Sequence, residues 1–196
     1  MTIPDNRNPL DLFQTWLTDA AKSGLREPTA MAVATVDADG KPHARMMLLK
    51  GADADGFVFY TNLGSPKASD LAANPRAALC FYWMPLGRQV RVEGSVTPVS
   101  DEEADAYFAT RPRLSQLGAW ASRQSRLMPG RFVLEKEVAR HALRFSVGKI
   151  PRPEWWSGFR LKPESIEFWV EKPFRHHDRI LYRKTKDGWE VDRLFP

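Results

Sequence analysis

Two tight turns set the strongest constraint on what this chain can fold into. Asp37-Ala38-Asp39-Gly40 separates the apolar runs at 31–36 and 44–50, and Asp53-Ala54-Asp55-Gly56 separates the second run from 57–62. Aspartate side chains bond to the backbone just ahead of them, and glycine accepts the positive φ that reverses a chain between paired strands. Successive strands joined by turns too short to hold a helix predict antiparallel hairpins, and they disfavour a doubly wound parallel sheet. Residues 77–83 and 89–99 read as two more strands. In the second, Val90, Val92 and Gly94 alternate with Arg91, Glu93 and Ser95, so one face is wet or functional. Near the end, residues 166–170 alternate, and 179–183 and 189–194 flank the turn Lys186-Asp187-Gly188 as a last hairpin.

Helical spacing occupies the intervals. Leu10, Phe13, Trp16, Leu17 and Ala20 recur on one face, Asn8 and Pro9 suit the cap and first position, and Gly24 suits the stop. A short helix is expected over 65–73. Ser100 and Glu103 form a capping-box pattern ahead of Ala104, Tyr107 and Phe108, and further helical segments are expected around 115–122 and 131–145. The pattern predicts a mainly β protein with helices, an α+β arrangement in which antiparallel strands close into a small barrel with helices on its ends. The 196 residues fit one domain.

Charge narrows the function. Lys and Arg number 29 against 24 Asp and Glu, a surplus of +5 that is scattered rather than gathered into the stripe a nucleic-acid binder presents. There is no run of about 18 apolar residues to cross a membrane, and Met1 to Pro9 does not read as a secretory leader. The single cysteine, Cys80, lies in an apolar run and forms no internal disulfide, which fits a reducing cytoplasm. Neither GxGxxG nor GxxxxGK[ST] occurs.

Four clusters carry candidate chemistry, and each also has an ordinary structural reading. In Arg45-Met46-Met47-Leu48-Leu49-Lys50 two cations bracket an apolar strand, on opposite faces if the strand is regular; a solvated strand end is the plain alternative. Tyr60-Thr61-Asn62 leads into Gly64-Ser65-Pro66-Lys67, where a helix start and a lysine make a phosphate cradle or simply a capped helix. Tyr107, Arg111 and Ser115 bring a phenol, a guanidinium and a hydroxyl within reach of one phosphate, or else decorate a helix end. In Arg175-His176-His177-Asp178-Arg179, strand alternation would set Arg175, His177 and Arg179 on one face, three potential cations in need of an anion, unless this is a solvated edge. No metal site is expected, because adjacent strand histidines point apart and lack partners at ligand spacing.

Taken in order, these stretches resemble the pyridoxamine/pyridoxine 5′-phosphate oxidase family over nearly the whole chain. Gln116-Leu117-Gly118-Ala119-Trp120, Gln124-Ser125, Ile166-Glu167-Phe168-Trp169 and the ending Arg193-Leu194-Phe195-Pro196 add to the likeness. The resemblance implies an FMN-binding split-barrel homodimer with FMN at the subunit interface and a C-terminal dimerisation and substrate region at about 150–196. It implies that FMN is held by Arg45 to Lys50, Tyr60, Thr61, Lys67, Gln89, Gln124, Ser125, Trp169 and Arg179. Lys50, Tyr107, Arg111 and Ser115 would hold the substrate phosphate, and Arg175 and His177 would be the catalytic pair lining the substrate. The implied reaction oxidises pyridoxamine or pyridoxine 5′-phosphate to pyridoxal 5′-phosphate, with O2 as acceptor and H2O2 as by-product.

The chain departs from the family pattern in places. Pro66 stands where members often have Arg, Leu114 replaces the usual Asp before Ser115, and His176 replaces Leu. The N-terminal segment that closes over the site in longer members is expected to be absent or reduced. These changes bear on affinity and substrate preference. Two other functions fit the same fold: a flavin oxidase acting on a phenazine-type ring, and a non-catalytic module binding flavin, haem or pyridoxal phosphate.

Overall fold

The computed structural model describes residues 3–4 and 8–196, so part of the stretch Met1 to Pro9 lies outside the described residues. Among the described residues five α-helices and nine strands follow in chain order: α1 (Pro9–Lys22), β1 (Ala30–Val36), β2 (Pro42–Leu48), β3 (Gly51–Asp53), β4 (Gly56–Asn62), α2 (Pro66–Ala73), β5 (Arg76–Trp83) and β6 (Arg88–Pro98) come first. Then come α3 (Asp101–Thr110), α4 (Arg113–Ala121), α5 (Val133–Arg144), β7 (Trp156–Val170), β8 (Asp178–Lys184) and β9 (Trp189–Arg193).

Both Asp-Gly turns form as expected. The Asp37 carboxylate accepts from the backbone N–H groups of Asp39 and Lys41, at 3.0 and 2.9 Å, and Gly40 takes φ 82°. Asp53 accepts from Asp55 and Gly56 at 2.9 and 3.1 Å. The second turn, however, does not pair β2 with β4. The run at 44–50 breaks after Leu48, and the separate short strand β3 makes the hairpin with β4. This break shapes the molecule. The sheet runs in the order β2-β1-β5-β6-β7-β4-β3, all antiparallel, with β8 and β9 continuing from β7. Its two ends, β2 and β3, are separated along the chain by Leu49 and Lys50 alone. Two residues span roughly 10 Å at most, so the sheet has to curl until its edges nearly meet.

The barrel interior is aromatic. Helix α1, capped by the Asn8 side chain accepting from Leu10 N–H at 2.9 Å, buries Leu12, Phe13, Trp16 and Ala20 against it. Phe13 meets Phe57 and Phe81 edge-on at 4.9 and 5.1 Å, and Trp16 meets Phe168 at 5.0 Å. Aromatic pairs in this geometry stabilise beyond their buried area. A second, smaller core of Phe108, Leu117, Ile150 and Trp156 joins the helices α3 to α5 to the start of β7.

Strand β7 has 15 residues, far more than the alternation at 166–170 predicts, and it bridges the two layers. Its first part pairs with β4, its last part with β8, and β6 runs alongside both. Pro163 interrupts the pattern beside a bulge in β7 itself, where Glu164 is the extra residue between the pairs Gly94–Pro163 and Glu93–Ser165. There the backbones come so close that a Cβ on Gly94 would stand 2.0 Å from the Lys162 carbonyl oxygen. Proline is tolerated because the bulge removes the need for its N–H.

Candidate active site

Two adjoining cavities open where β2 and β4 meet α2, α3 and α4. The first, of about 430 Å³, is lined by Lys50, Tyr107, Arg111 and Ser115, together with Leu48 and Trp156. The second, of about 650 Å³, is lined by His43, Arg45, Met46, Met47, Lys67 and Ser125. Tyr60, Thr61 and Gln124 belong to both and form the shared wall.

Strand β2 fixes how the cations divide. His43, Arg45 and Met47 lie on its half-buried face and Ala44, Met46 and Leu48 on its exposed one. Arg45 donates from Nη1 to the Val33 carbonyl at 3.0 Å and to Thr35 Oγ1 at 2.8 Å. Lys50 lies past the end of the strand and stands in the first cavity rather than the second. Leu49 points into the barrel core at 3 % exposure, so its side chain faces neither cavity; only its backbone is available to a ligand.

Lys67 lies in the first turn of α2 and is itself buried. Its Nζ donates to Thr61 Oγ1, Ser65 Oγ and Gln124 Oε1 at 3.0, 3.1 and 3.0 Å, all neutral acceptors. Burial pushes its pKa down and the Arg45 charge pushes it further, against a smaller opposing pull from Asp70. Burial also lowers Arg45, with Asp70 opposing. Two desolvated, mutually repelling cations beside a single buried carboxylate form a set that a phosphate dianion would relieve. The donor chemistry of this cavity therefore fits the phosphate end of FMN.

The first cavity has the same character. Tyr60, Tyr107 and Trp156 lie nearly parallel, with Tyr60 4.0 Å from Tyr107 and 5.2 Å from Trp156. Burial raises the Tyr60 phenol to about 12, with the Glu103 charge adding to the effect, so it stays protonated at neutral pH. The Arg111 guanidinium lies 4.7 Å over the Trp156 ring, and its buried Nη1 makes no hydrogen bond among the described residues. Helix α3 stops at Thr110 and Arg111 is its C-cap in an extended conformation, so a shared helix face is not what brings Tyr107 and Arg111 together. The turn through Pro112 does so, returning Ser115 to the same cavity on α4.

The remaining expected residues line neither cavity. Gln89, Trp169 and Arg179 are register partners across β6, β7 and β8, and the His177 ring packs 4.6 Å from Trp169. Arg179 is bound to Glu167 Oε1 from Nε at 2.8 Å and to the Phe195 carbonyl from Nη1 at 2.9 Å. Arg175, His177 and Arg179 do not form a strand stripe. Pro173–Arg175 is a 3₁₀ turn with Phe174 and Arg175 at φ 57° and 61°, and β8 begins only at Asp178. The turn supersedes strand alternation, and the His177 Nδ1 accepts the Lys172 N–H at 3.3 Å.

Three residues at the cavities escaped the sequence reading; one is His43, which lines the second. Trp156 is legible only as half of a Trp-Trp pair. Asp70 lies three residues after Lys67, hence on the same helix face, and that spacing was the available signal. It is 4 % exposed and accepts from Thr35 Oγ1 at 2.6 Å. Among the described residues no group of three or more His, Cys, Asp or Glu is placed to hold a metal ion, and no helix is long and apolar enough to cross a membrane.

Comparison with known proteins places this geometry. Residues 17–144 match the family model described as pyridoxamine 5′-phosphate oxidase, and residues 156–196 match that of the pyridoxine 5′-phosphate oxidase C-terminal dimerisation region. The chain is 58 % identical over 194 residues to the pyridoxine/pyridoxamine 5′-phosphate oxidase of Maricaulis maris, covering 98 % of this chain and 87 % of the relative. It is 56 % identical to that of Rhodospirillum rubrum, with both chains covered in full. Among solved structures, PhzG from Burkholderia lata in complex with tetrahydrophenazine-1-carboxylic acid superposes with a TM-score of 0.91 at 30 % identity, covering 98 % of this chain and 94 % of that one. An FMN-binding protein of Nostoc punctiforme, at 18 % identity and a TM-score of 0.76, shares the split-barrel fold. With both family models matched across most of its length, the chain belongs to the pyridoxamine 5′-phosphate oxidase family.

Proposed function

We propose that this protein is an FMN-dependent oxidase converting pyridoxamine or pyridoxine 5′-phosphate to pyridoxal 5′-phosphate, with O2 as acceptor and H2O2 as by-product. The observation that carries this is the pairing of two cation-lined cavities across one wall. Two planar ligands, each ending in a phosphate, need such an arrangement to lie side by side. Arg45 and Lys67 would hold the FMN phosphate, with Ser125 beside them and Thr61 and Gln124 in the shared wall. Lys50, Arg111, Tyr107 and Ser115 would hold the substrate phosphate.

FMN, when bound, supplies the two-electron redox chemistry and its return to the oxidised state by dioxygen. The chain's own groups bind and orient. Trp156 supports Arg111 from below, and Tyr60 separates the two anion sites with a ring that carries no charge at neutral pH. Gln89, Trp169, Arg175, His177 and Arg179 line neither cavity of the same chain. They would complete the site of a partner subunit, with Arg175 and His177 facing its substrate, in a homodimer built through the C-terminal region. The whole chain, 1–196, would act as one split-barrel domain in the reducing cytoplasm, where the half-buried Cys80 thiol, its pKa pushed up by burial, stays reduced.

The test is the absorbance spectrum of the purified protein followed by anaerobic addition of pyridoxamine 5′-phosphate. A flavin band that bleaches, and returns with peroxide on admitting air, is the expected result. A flavin band indifferent to that substrate would favour oxidation of a phenazine-type ring, the second reading suggested by the likeness to PhzG. That alternative offers the cations of the first cavity at most a carboxylate, such as that of the ligand bound to PhzG, in place of a phosphate dianion.

A further inference from the structure

Three side chains converge on one oxygen at the edge of the second cavity. Asp70 Oδ2 accepts the Thr35 hydroxyl at 2.6 Å and lies 3.1 Å from His43 Nδ1, while Arg45 Nη2 stands off at 3.6 Å. The spacing is unusual for a guanidinium and a carboxylate so little exposed to water, which ordinarily close into a short, often bidentate pair. Here the close positions belong to threonine and histidine. Arg45 spends its Nη1 on a backbone carbonyl and on Thr35, both neutral, so its one charged partner among the described residues is Asp70, held at the long ion-pair distance of 3.6 Å.

His43 reaches Asp70 because it lies two residues before Arg45 on the same face of β2. It is the more exposed of the two, with 31 % of its side chain accessible, and its Nε2 is 4.0 Å from Asp37 in the adjoining turn. The charged groups around it are therefore Asp37 from the hairpin turn, Asp70 from α2, and Arg45 on its own strand, with Lys67 lining the same cavity. The carboxylate of Asp70 can only accept, so the histidine nitrogen facing it donates.

We propose that His43 is a positioning residue for the phosphate end of the flavin cavity: by occupying the Asp70 carboxylate, it keeps Arg45 from closing onto Asp70 and leaves the guanidinium to the ligand. The role rests on the assignment of this cavity to FMN phosphate. Without His43, Arg45 closes the gap to Asp70, and a phosphate has to compete with an internal anion for its main cation.

The experiment is a fluorescence titration of ligand-free protein with FMN and, separately, with riboflavin, which lacks the phosphate. The wild type should prefer FMN. His43→Ala should lose about tenfold in FMN affinity, the equivalent of one charge-assisted contact, while riboflavin binding stays within about twofold. Asp70→Asn placed on top of His43→Ala should restore FMN binding, because an amide does not neutralise Arg45. His43→Asn, whose amide nitrogen lies near the position of Nδ1, should bind FMN as the wild type does, and it serves in place of the alanine variant if that one does not fold.

Unchanged FMN affinity in His43→Ala would overturn the proposal, as would a parallel loss of riboflavin or a double variant as weak as the single one. A wild type that binds riboflavin as well as FMN would overturn the cavity assignment together with the role of His43. A wild type that discriminates, paired with an indifferent His43→Ala, would remove His43 alone.

Discussion

Replacing Arg111 with Met should move stability and substrate binding by very different amounts. The substitution keeps the apolar stem and removes the guanidinium. In the ligand-free protein that head lies 4.7 Å over Trp156 and 5.6 Å from the Phe108 ring, with its Nη1 buried and unbonded among the described residues. A buried polar group without a partner costs about 1–3 kcal/mol, and a partly desolvated cation–π contact returns about 0.5–2 kcal/mol. The two nearly cancel, so unfolding free energy should change by no more than about 1 kcal/mol, a shift of roughly 2–4 °C in melting temperature for a chain of this size. Substrate binding has no such cancellation. Hydrogen bonds to a charged group are worth about 1.5–3 kcal/mol, so the KM for pyridoxamine 5′-phosphate should rise about 10- to 150-fold, with kcat much less affected. Thermal melts of the ligand-free protein and steady-state kinetics measure the two separately. A variant melting more than about 8 °C lower with an unaltered KM would make Arg111 a structural residue and remove it from the phosphate site.

Three further outcomes follow from the geometry. Lys67→Met should weaken FMN binding roughly 10- to 100-fold and leave riboflavin binding nearly unchanged; equal loss of both would place the phosphate elsewhere. Gly94→Ala forces a methyl group to within 2.0 Å of the Lys162 carbonyl oxygen and should cost about 3 kcal/mol, a fall of roughly 6–12 °C in melting temperature; a melt within about 2 °C of wild type would mean that the bulge relaxes freely. Burial pushes the Asp70 carboxyl upward, but bonds from Thr35 and His43 and the charges of His43 and Arg45 outweigh it, and the net shift is down. A depressed folded value contributes stability above the unfolded value of about 3.9 that is lost as pH falls through the folded one. Urea midpoints of Asp70→Asn should therefore decline less steeply than wild type below about pH 4, and identical acid limbs would refute the shift.

The parts legible in the sequence are those governed by neighbours along the chain. The Asp-Gly turns, the Asn8 cap and the Ser100 cap each depend on groups within four residues, and each forms. The short strand β3 was not legible, because whether residues 51–53 extend β2 or leave it depends on β4 and the closure of the sheet. Strand β7 reads as shorter than it is because Pro163 breaks the alternation, and its tolerance depends on the bulge that β7 itself forms at Glu164 against β6. At the site, alternation already set Arg45 and Lys50 apart, but not which cavity each would line. That Arg45 and Lys50 would occupy different cavities, and that Asp70 would govern one of them, follows from how β2 meets α2. The turn at Phe174 and Arg175 shows the opposite failure: residues that suit a strand were folded into a left-handed turn, for which spacing offers no warning.

The row Gln89–Trp169–Arg179 is anchored on three neighbouring strands, whereas Arg45, Lys67 and Gln124 surround a cavity that the row does not reach. On the proposed sharing of each site between two subunits, lesions in the two groups would be complementary in the geneticist's sense. Chains crippled at Lys67 and chains crippled at Arg179, each inactive alone, would restore activity when unfolded together and allowed to reassociate. In a mixed pair one site inherits both defects and the other inherits none, so random two-fold pairing of equal amounts recovers about a quarter of the wild-type rate. An organism carrying both damaged copies of such a gene would retain a working enzyme.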